Sequence, residues 1–115
     1  MADVRWRYAT AADIPPFFGG PIPFTVRAAV VEVDGAHAAL IGLVSDGLGA
    51  QCFFSEEMPA FEPHRGKIPT MRALQRVMRW ARESTVPVYS VSNNHSLLKR
   101  LGFEQLDQDL FVCRG

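Results

Sequence analysis

The stretch that decides the fold is VPVYSVSNNHSLLKRLGFE, from Val86 to Glu104. Its first part, Val86 to Val91, alternates β-branched and aromatic residues with small ones and predicts a strand. Ser92 to His95 has turn and capping chemistry, and Ser96 to Leu101 has apolar residues at helical spacing before Gly102 ends the helix. The stretch therefore predicts a strand that is followed directly by a short helix.

An amphipathic helix is predicted before this stretch. From Pro69 to Ser84 the apolar residues recur at spacings of three and four, as such a helix requires. Proline suits the first turn, where its missing N–H would have no partner. The opposite face carries Arg72, Arg76, Arg79 and Arg82. This face fits either a solvated helix surface or a basic ridge that binds phosphate or nucleic acid.

The centre of the chain predicts an antiparallel meander of three strands, Thr25 to Val33, His37 to Ser45 and Ala50 to Ser55. Two turn signals, Asp34-Gly35 and Asp46-Gly47, separate these strands. Apolar residues fall on both parities of the first two strands. We therefore expect both faces of the sheet to be covered.

The N-terminal segment predicts little regular structure. Val4 to Tyr8 alternates apolar and basic residues and indicates a strand. Thr10 to Ile14 begins a helix that prolines and glycines end after one turn at most. The loop that follows carries Phe17, Phe18 and Phe24. These rings either cover a cleft or a sheet face, or simply complete the core.

The remaining segments are a loop from Glu56 to Lys67, a stretch from Glu104 to Gln108 without a predicted element, and a last strand from Leu110 to Cys113. The predicted order is a strand, a degenerate helix, three strands, a helix, a strand, a helix and a strand. This order predicts a single α/β (α+β) domain over residues 1–115, in which the helical crossover returns its strand parallel to the one it left. An exposed final strand would let two copies pair as a homodimer.

Composition indicates an ordinary globular domain. The 115 residues are enough for one packed core, and 48% of them are hydrophobic. Twelve basic residues balance twelve acidic ones, so the chain as a whole does not favour nucleic acid or an anionic membrane as partner. No apolar run would span a membrane and no signal peptide is evident, so we expect a cytoplasmic protein. We expect Cys52 and Cys113 to be buried free thiols.

The element order and two motifs resemble the GNAT superfamily of acyl-CoA N-acyltransferases. VRWRYATAADI, from Val4 to Ile14, is similar to the family's opening strand and its T-x-x-D-I entry into the first helix. NNHSLLKRLGFE, from Asn93 to Glu104, is similar to the closing segment, in which an Asn-initiated helix leads into Leu-Gly-Phe-Glu. The resemblance implies a GNAT-like mixed sheet and acetyl-CoA as co-substrate.

The resemblance also implies that a loop at the start of the central helix holds the cofactor pyrophosphate. Helix N-termini leave N–H donors unpaired, and their dipole favours anions. Arg65, Gly66 and Lys67 supply one glycine and two cations in this loop. However, Pro69 removes one donor, and no second small residue follows at the expected place. The implied cofactor-binding residues are Phe53, Phe54, Arg65, Gly66, Lys67, Thr70 and Asn93.

For proton transfer, the resemblance implies a tyrosine four residues before the Gly-Phe, where it would protonate the departing thiolate of CoA. That position is Leu98. Tyr89 substitutes for it only if its side chain faces the cleft; otherwise it is a core tyrosine. The candidates for the base that deprotonates the amine are Glu56, Glu57 and His64, each of which is otherwise an ordinary solvated loop residue.

The two other histidines indicate no metal site. His95 stands beside Asn93 and Asn94, where helix capping explains the polar cluster, and His37 reads as a packed or edge residue. Neither belongs to a group with metal-ligand spacing.

Two functions remain open from the sequence. The first is a small cytoplasmic N-acyltransferase that moves an acetyl or related group to an amine of a small molecule or protein. Its thioester would enter between the third meander strand and Val86 to Val91. The alternative is a degenerate GNAT-like module that has lost catalysis and binds a protein or a nucleic acid.

Overall fold

A computed structural model describes residues 2–47 and 49–114 of the chain. Its seven-stranded mixed sheet has the spatial order β1-β2-β3-β4-β5-β7-β6. The strands are β1 (Val4–Tyr8), β2 (Thr25–Val33), β3 (Ala36–Ser45), β4 (Gln51–Glu57), β5 (Val88–Val91), β6 (Glu104–Asp107) and β7 (Leu110–Cys113). The α-helices are α1 (Pro15–Phe18), α2 (Ile68–Glu83) and α3 (His95–Arg100), and two 3₁₀ helices span Ala11–Asp13 and Pro59–His64.

The meander and the parallel crossover are confirmed. Strands β1 to β4 are antiparallel neighbours, and α2 carries the chain to β5, which pairs parallel to β4. The tight turn between β2 and β3 places Asp34 at φ 52° and Gly35 at φ 81°. Such angles are the reason why an Asp-Gly pair is favoured in a two-residue hairpin.

The predicted element order is wrong near the C-terminus, where the structure adds β6. This strand pairs antiparallel with β7, and its register shifts between Gln105 and Asp107. All four of its residues are exposed, so its sequence lacks the alternation of apolar and polar residues that marks a half-buried strand. Pairing with β7, rather than a hydrophobic pattern, defines this strand.

The final strand is also not an edge strand, contrary to the basis of the homodimer prediction. β7 lies between β5 and β6, and the two edges of the sheet are β1 and β6. Because both sides of β7 are already paired, it offers no free ladder to a second copy.

The segment after β1 has more helical structure than the single turn that the sequence predicts. A 3₁₀ helix at Ala11–Asp13 is followed by α1, which Gly19 ends with φ 73°. Pro15 and Pro16 are tolerated because they occupy the first turn of α1.

Both faces of the sheet are covered, as predicted. The larger hydrophobic cluster lies under α2 and α3 and includes Val31, Val77 and Leu98. The smaller cluster lies on the opposite face, where Phe17 and Phe18 pack with buried strand residues. The faces are called the helix face and the α1 face below.

The boundaries of the two longer helices differ slightly from the predicted ones. α2 begins at Ile68, so Pro69 is its second residue rather than its first. α3 begins at His95, and the Oδ1 atom of Asn94 accepts a hydrogen bond from the Leu97 N–H at 3.3 Å. Asn94 therefore caps the helix, as its residue type predicts.

The two cysteines differ in environment. Cys113 is buried as predicted, but Cys52 is exposed, so the prediction of a buried thiol is wrong at that position. Cys52 lies near the start of β4, on the α1 face, which α1 covers only in part.

In residues 2–47 and 49–114, no helix has the length and apolar character needed to cross a membrane.

Candidate functional site

A cleft lies between β4 and β5. The two strands pair at only two positions, Gln51 with Val88 and Cys52 with Tyr89, and then diverge. The space that opens beyond these pairs has a volume of about 530 Å³. This volume lies within the range of about 300–1,000 Å³ that is usual for small-molecule pockets.

The cleft reaches both faces of the sheet. Phe53 packs into the cluster on the helix face, whereas Phe54 packs into the cluster on the α1 face, and both rings line the cleft. Because successive side chains of a strand point to opposite faces, Glu57 lies on the helix face and Glu56 on the α1 face. Both glutamates also line the cleft. It is therefore a passage between two strand edges rather than a hollow on one surface.

The helix-face side of the cleft is lined by buried apolar groups and hydroxyls. Leu98 of α3 is 2% exposed, and Ser90 of β5 is 4% exposed. Thr70, in the first turn of α2, is also buried, and its Oγ1 donates a hydrogen bond to the carbonyl oxygen of His64 at 3.2 Å. This bond fixes the loop before α2 to the helix itself.

One cation lines the cleft in the described part of the chain, and it is Arg65. Its guanidinium donates to the carboxylate of Glu57 at the end of β4, which forms an ion pair across the mouth of the cleft. Gly66 follows, and a Cβ added to it would meet no atom within 4 Å. The backbone at Gly66 therefore faces open space next to the N-terminus of α2.

The cleft brings together most of the residues that the sequence predicts to bind the cofactor. Those that line it are Phe53, Phe54, Arg65, Thr70 and Asn93, and the predicted base Glu56 lines it as well. Gly66 and Lys67 lie in the adjoining loop, outside the lining.

The two other predicted catalytic residues do not line the cleft. Tyr89 precedes the buried Ser90, so its side chain points to the α1 face at the closed end of the cleft. His64 ends the 3₁₀ helix Pro59–His64, and its Nδ1 is buried without a hydrogen-bond partner among the described residues.

Sequence reasoning missed several polar residues of the site. Ser55, Ser90, Ser92 and Asn94 all line the cleft. The alternation of β5 could have identified Ser90, because Val88 and Ser90 share the inward face of this strand. Ser92 and Asn94 belong to a turn, and the direction of their side chains depends on how the turn folds.

A second polar cluster ties the N-terminal segment to the sheet. Asp13 is 4% exposed, and its two carboxylate oxygens accept hydrogen bonds from Arg7 Nη1 at 2.8 Å and Nη2 at 2.9 Å. The Thr10 backbone N–H donates to Asp13 at 2.7 Å, and His37 Nε2 lies 2.9 Å from its other oxygen. This is the T-x-x-D motif of the sequence, and it forms a capping box.

The charges of this cluster stabilise each other. The hydrogen bonds from Arg7, followed by those from Thr10 and His37, hold the pKa of Asp13 well below its usual range, although burial opposes them. The bond to Asp13 raises the pKa of Arg7. The cluster joins β1 and the segment after it to β3, and none of its four residues lines the cleft.

The remaining histidine, His95, lies at the surface, and its Nε2 is 2.7 Å from Asp109 Oδ1. Among residues 2–47 and 49–114, no group of three or more His, Cys, Asp or Glu side chains could hold a metal ion.

No protein-family model matches the chain, and neither a curated protein sequence nor a solved structure matches it.

Proposed function

We propose that the chain is a small cytoplasmic N-acyltransferase that moves an acyl group, acetyl in the simplest case, from acyl-CoA to an amine. The single observation that carries this proposal is the cleft between the diverging parallel strands β4 and β5, with the start of α2 at its mouth. The resemblance to the GNAT superfamily implies this same place for the thioester. The proposal extends to a GNAT-like fold for the mixed sheet.

The loop before α2 would bind the phosphates of the donor. Arg65 and Lys67 bring two positive charges to the N-terminus of α2, whose dipole also favours anions. The open space at Gly66 lets an anion approach the backbone closely. Pro69 removes one N–H from the first turn, so the side-chain cations carry more of the binding than the backbone does.

The cleft itself would hold the pantetheine arm and the acyl group. Beyond Cys52, the β4 backbone is no longer paired with β5, and its polar groups can hydrogen-bond the amides of an extended arm, as an added strand would. A backbone N–H that points at the thioester oxygen would stabilise the negative charge that develops there during attack.

Acyl transfer also needs proton transfers, and the cleft supplies groups for them. Glu56 and Glu57 are carboxylates at its mouth that can deprotonate an ammonium. Leu98 has no proton to donate to the departing thiolate. The hydroxyls of Ser90 and Ser92 lie along the β5 side and can relay a proton in its place.

A thermal unfolding experiment tests the donor site. Acetyl-CoA at 100 times its dissociation constant should stabilise the protein by about 2.7 kcal/mol. Arg65→Gln should weaken this effect, because it removes the cation of the cleft. Arg114→Gln is a matched control, since Arg114 also pairs with an exposed glutamate, Glu104, but lies away from the cleft. No stabilisation of the wild-type protein by millimolar acetyl-CoA or CoA would refute the proposal.

A second candidate function is a catalytically degenerate module that binds a polyanion such as nucleic acid. It is favoured by the distribution of charge: α2 and α3 carry six of the twelve basic residues and only one of the twelve acidic residues, Glu83. Both helices lie on the same face of the sheet. Replacing Arg72, Arg76 and Arg79 by glutamine should then abolish salt-dependent binding of a DNA or RNA oligonucleotide, and an unchanged affinity would exclude this function.

A further inference from the structure

The two mouths of the cleft differ in charge and polarity. On the helix face the mouth carries Arg65, which is paired with Glu57, and Lys67 lies close by in the same loop. On the α1 face the mouth carries a carboxylate, Glu56, together with the side chains of Phe54 and Val91. One mouth is therefore suited to an anion, and the other to a cation with an apolar body.

The carboxylate of Glu56 is free to bind such a cation. Glu56 is exposed, and its side chain makes no hydrogen bond or ion pair with any other described residue. Its neighbour Glu57, by contrast, is occupied by Arg65. On the α1 face, Arg7 of β1 is bound to Asp13 and Glu32, and His37 of β3, the strand next to β4, lies 2.9 Å from Asp13.

The apolar surface beside Glu56 is formed by exposed and half-buried groups. Val91 is 77% exposed, although it is part of β5 and lines the cleft. Phe54 precedes Glu56 by two residues on the same face, and its ring packs against Phe18 of α1 at a centroid distance of 5.7 Å. α1 thus supports the ring from one side and holds it at the edge of the cleft.

We propose that the acceptor enters from the α1 face and is a primary amine with an apolar, preferably aromatic, carbon skeleton. Its ammonium group binds Glu56, and its apolar body lies against Phe54 and Val91. This inference rests on the proposed acyltransferase function and names the substrate class of the same cleft. Both a free arylalkylamine and a peptide that begins with an apolar residue have this chemistry.

The chemistry balances with the groups present. The ammonium gives one proton to Glu56, and the lone pair of the resulting amine attacks the thioester carbon. The C–N bond forms, the C–S bond breaks, and the electron pair leaves with sulfur. The second proton of the nitrogen passes to the thiolate, and Glu56 returns its proton to water. The products are an amide and a free thiol, and no oxidant or reductant takes part.

The test measures amine binding separately from donor binding. Calorimetric titrations of the free and the CoA-saturated protein would compare 2-phenylethylamine with two matched probes. Ethanolamine keeps the charge but lacks the ring, and 2-phenylethanol keeps the ring but lacks the charge. Each matched probe should bind at least about fivefold more weakly than 2-phenylethylamine, since it loses either the ring contact or the ion pair. Equal binding of either matched probe would overturn the inference.

Two exposed glutamates, one in the cleft and one outside it, provide the matched variants. Glu56→Gln should weaken 2-phenylethylamine binding about fivefold and remove its advantage over 2-phenylethanol. Glu104→Gln should leave the amine affinity unchanged, because Glu104 is an exposed glutamate of β6 that does not line the cleft. An unchanged affinity in Glu56→Gln, or an equal loss in Glu104→Gln, would overturn the inference. Val91→Lys, at an exposed position, should weaken amine binding as well, since it adds a like charge.

The outcomes separate this inference from the function on which it rests. Stabilisation by acetyl-CoA without selective amine binding would refute the acceptor class and leave the acyltransferase proposal standing. Absence of stabilisation by acetyl-CoA would refute the acyltransferase itself. A tripeptide with N-terminal Phe, in its free and N-acetylated forms, separates the two sources of the amine. Tighter binding of the free peptide than of 2-phenylethylamine identifies peptide N-termini as the acceptor. Weaker binding of the free peptide identifies small amines.

Discussion

Glu57, the last residue of β4, holds Arg65 of the loop before α2 in an ion pair across the mouth of the cleft. The pair joins β4 to the loop before α2. When a phosphate binds to Arg65, either the ion pair separates or Arg65 is shared between Glu57 and the phosphate. Glu57 therefore competes with an anionic donor for the cation of the cleft.

Removing this competition should strengthen donor binding. We expect Glu57→Gln to raise the affinity for acetyl-CoA by up to about fivefold, the upper range for a solvent-exposed ion pair. Isothermal titration calorimetry would measure the change, with Glu104→Gln as a control that releases Arg114 far from the cleft. A weaker affinity in Glu57→Gln would show that the pair positions Arg65 rather than blocks it.

The cluster around Asp13 should be important for stability. Asp13→Asn replaces a buried carboxylate that accepts two hydrogen bonds from Arg7, and we expect a loss of about 2 kcal/mol in the free energy of unfolding. Urea denaturation at pH 7 would measure it. Asp3→Asn, which changes an exposed ion pair with Arg5, is the control and should have an effect below about 1 kcal/mol.

The same carboxylate should make stability depend on pH. The pKa of Asp13 is lowered in the folded protein, whereas an unfolded aspartate titrates near pH 3.9, about the model-peptide value. A lowered pKa stabilises the fold above the unfolded value, and this contribution is lost as the pH falls below it. The stability difference between wild type and Asp13→Asn should therefore shrink below about pH 4. A difference that grows on acidification would contradict the assignment.

Gly42 of β3 should not tolerate a side chain. A Cβ at this position would lie 2.5 Å from the carbonyl oxygen of Arg27 and 2.6 Å from the Cβ of Ala28 on the neighbouring strand. We expect Gly42→Ala to cost about 2 kcal/mol of stability, as overpacking usually does. Gly66→Ala is the contrasting variant: its Cβ would meet open space, so its melting temperature should stay close to that of the wild type.

The two thiols should react at different rates. Cys52 is exposed and Cys113 is buried, so a thiol reagent such as DTNB should modify one thiol rapidly in the native protein and both in denaturant. Cys52→Ser should remove the fast phase. Rapid reaction of two thiols in the native Cys52-containing protein would mean that β7 is less well protected than the structure indicates.

Much of the fold follows from local patterns that the sequence displays directly. The Asp34-Gly35 turn sets the first hairpin, the apolar stripe sets α2, and Asn94 caps α3. β6 could not be found in this way, because its residues are exposed and only its ladder with β7 makes it a strand. The exposure of Cys52 was missed for a related reason, since an apolar strand residue is buried only where another element covers it.

The candidate site also combines features that are local in the sequence with features that depend on tertiary contacts. The sequence by itself determined the loop before α2 and the start of this helix to within one residue, because these are local features. It ended the third meander strand at Ser55, whereas β4 continues to Glu57 because it stays paired with β3. Only the tertiary structure decided that β4 and β5 separate after two residue pairs, that Glu57 is bound to Arg65, and that Glu56 remains free on the other face. These relations join residues that are distant in the chain, and the packing of α2 and α3 against one face of the sheet places them.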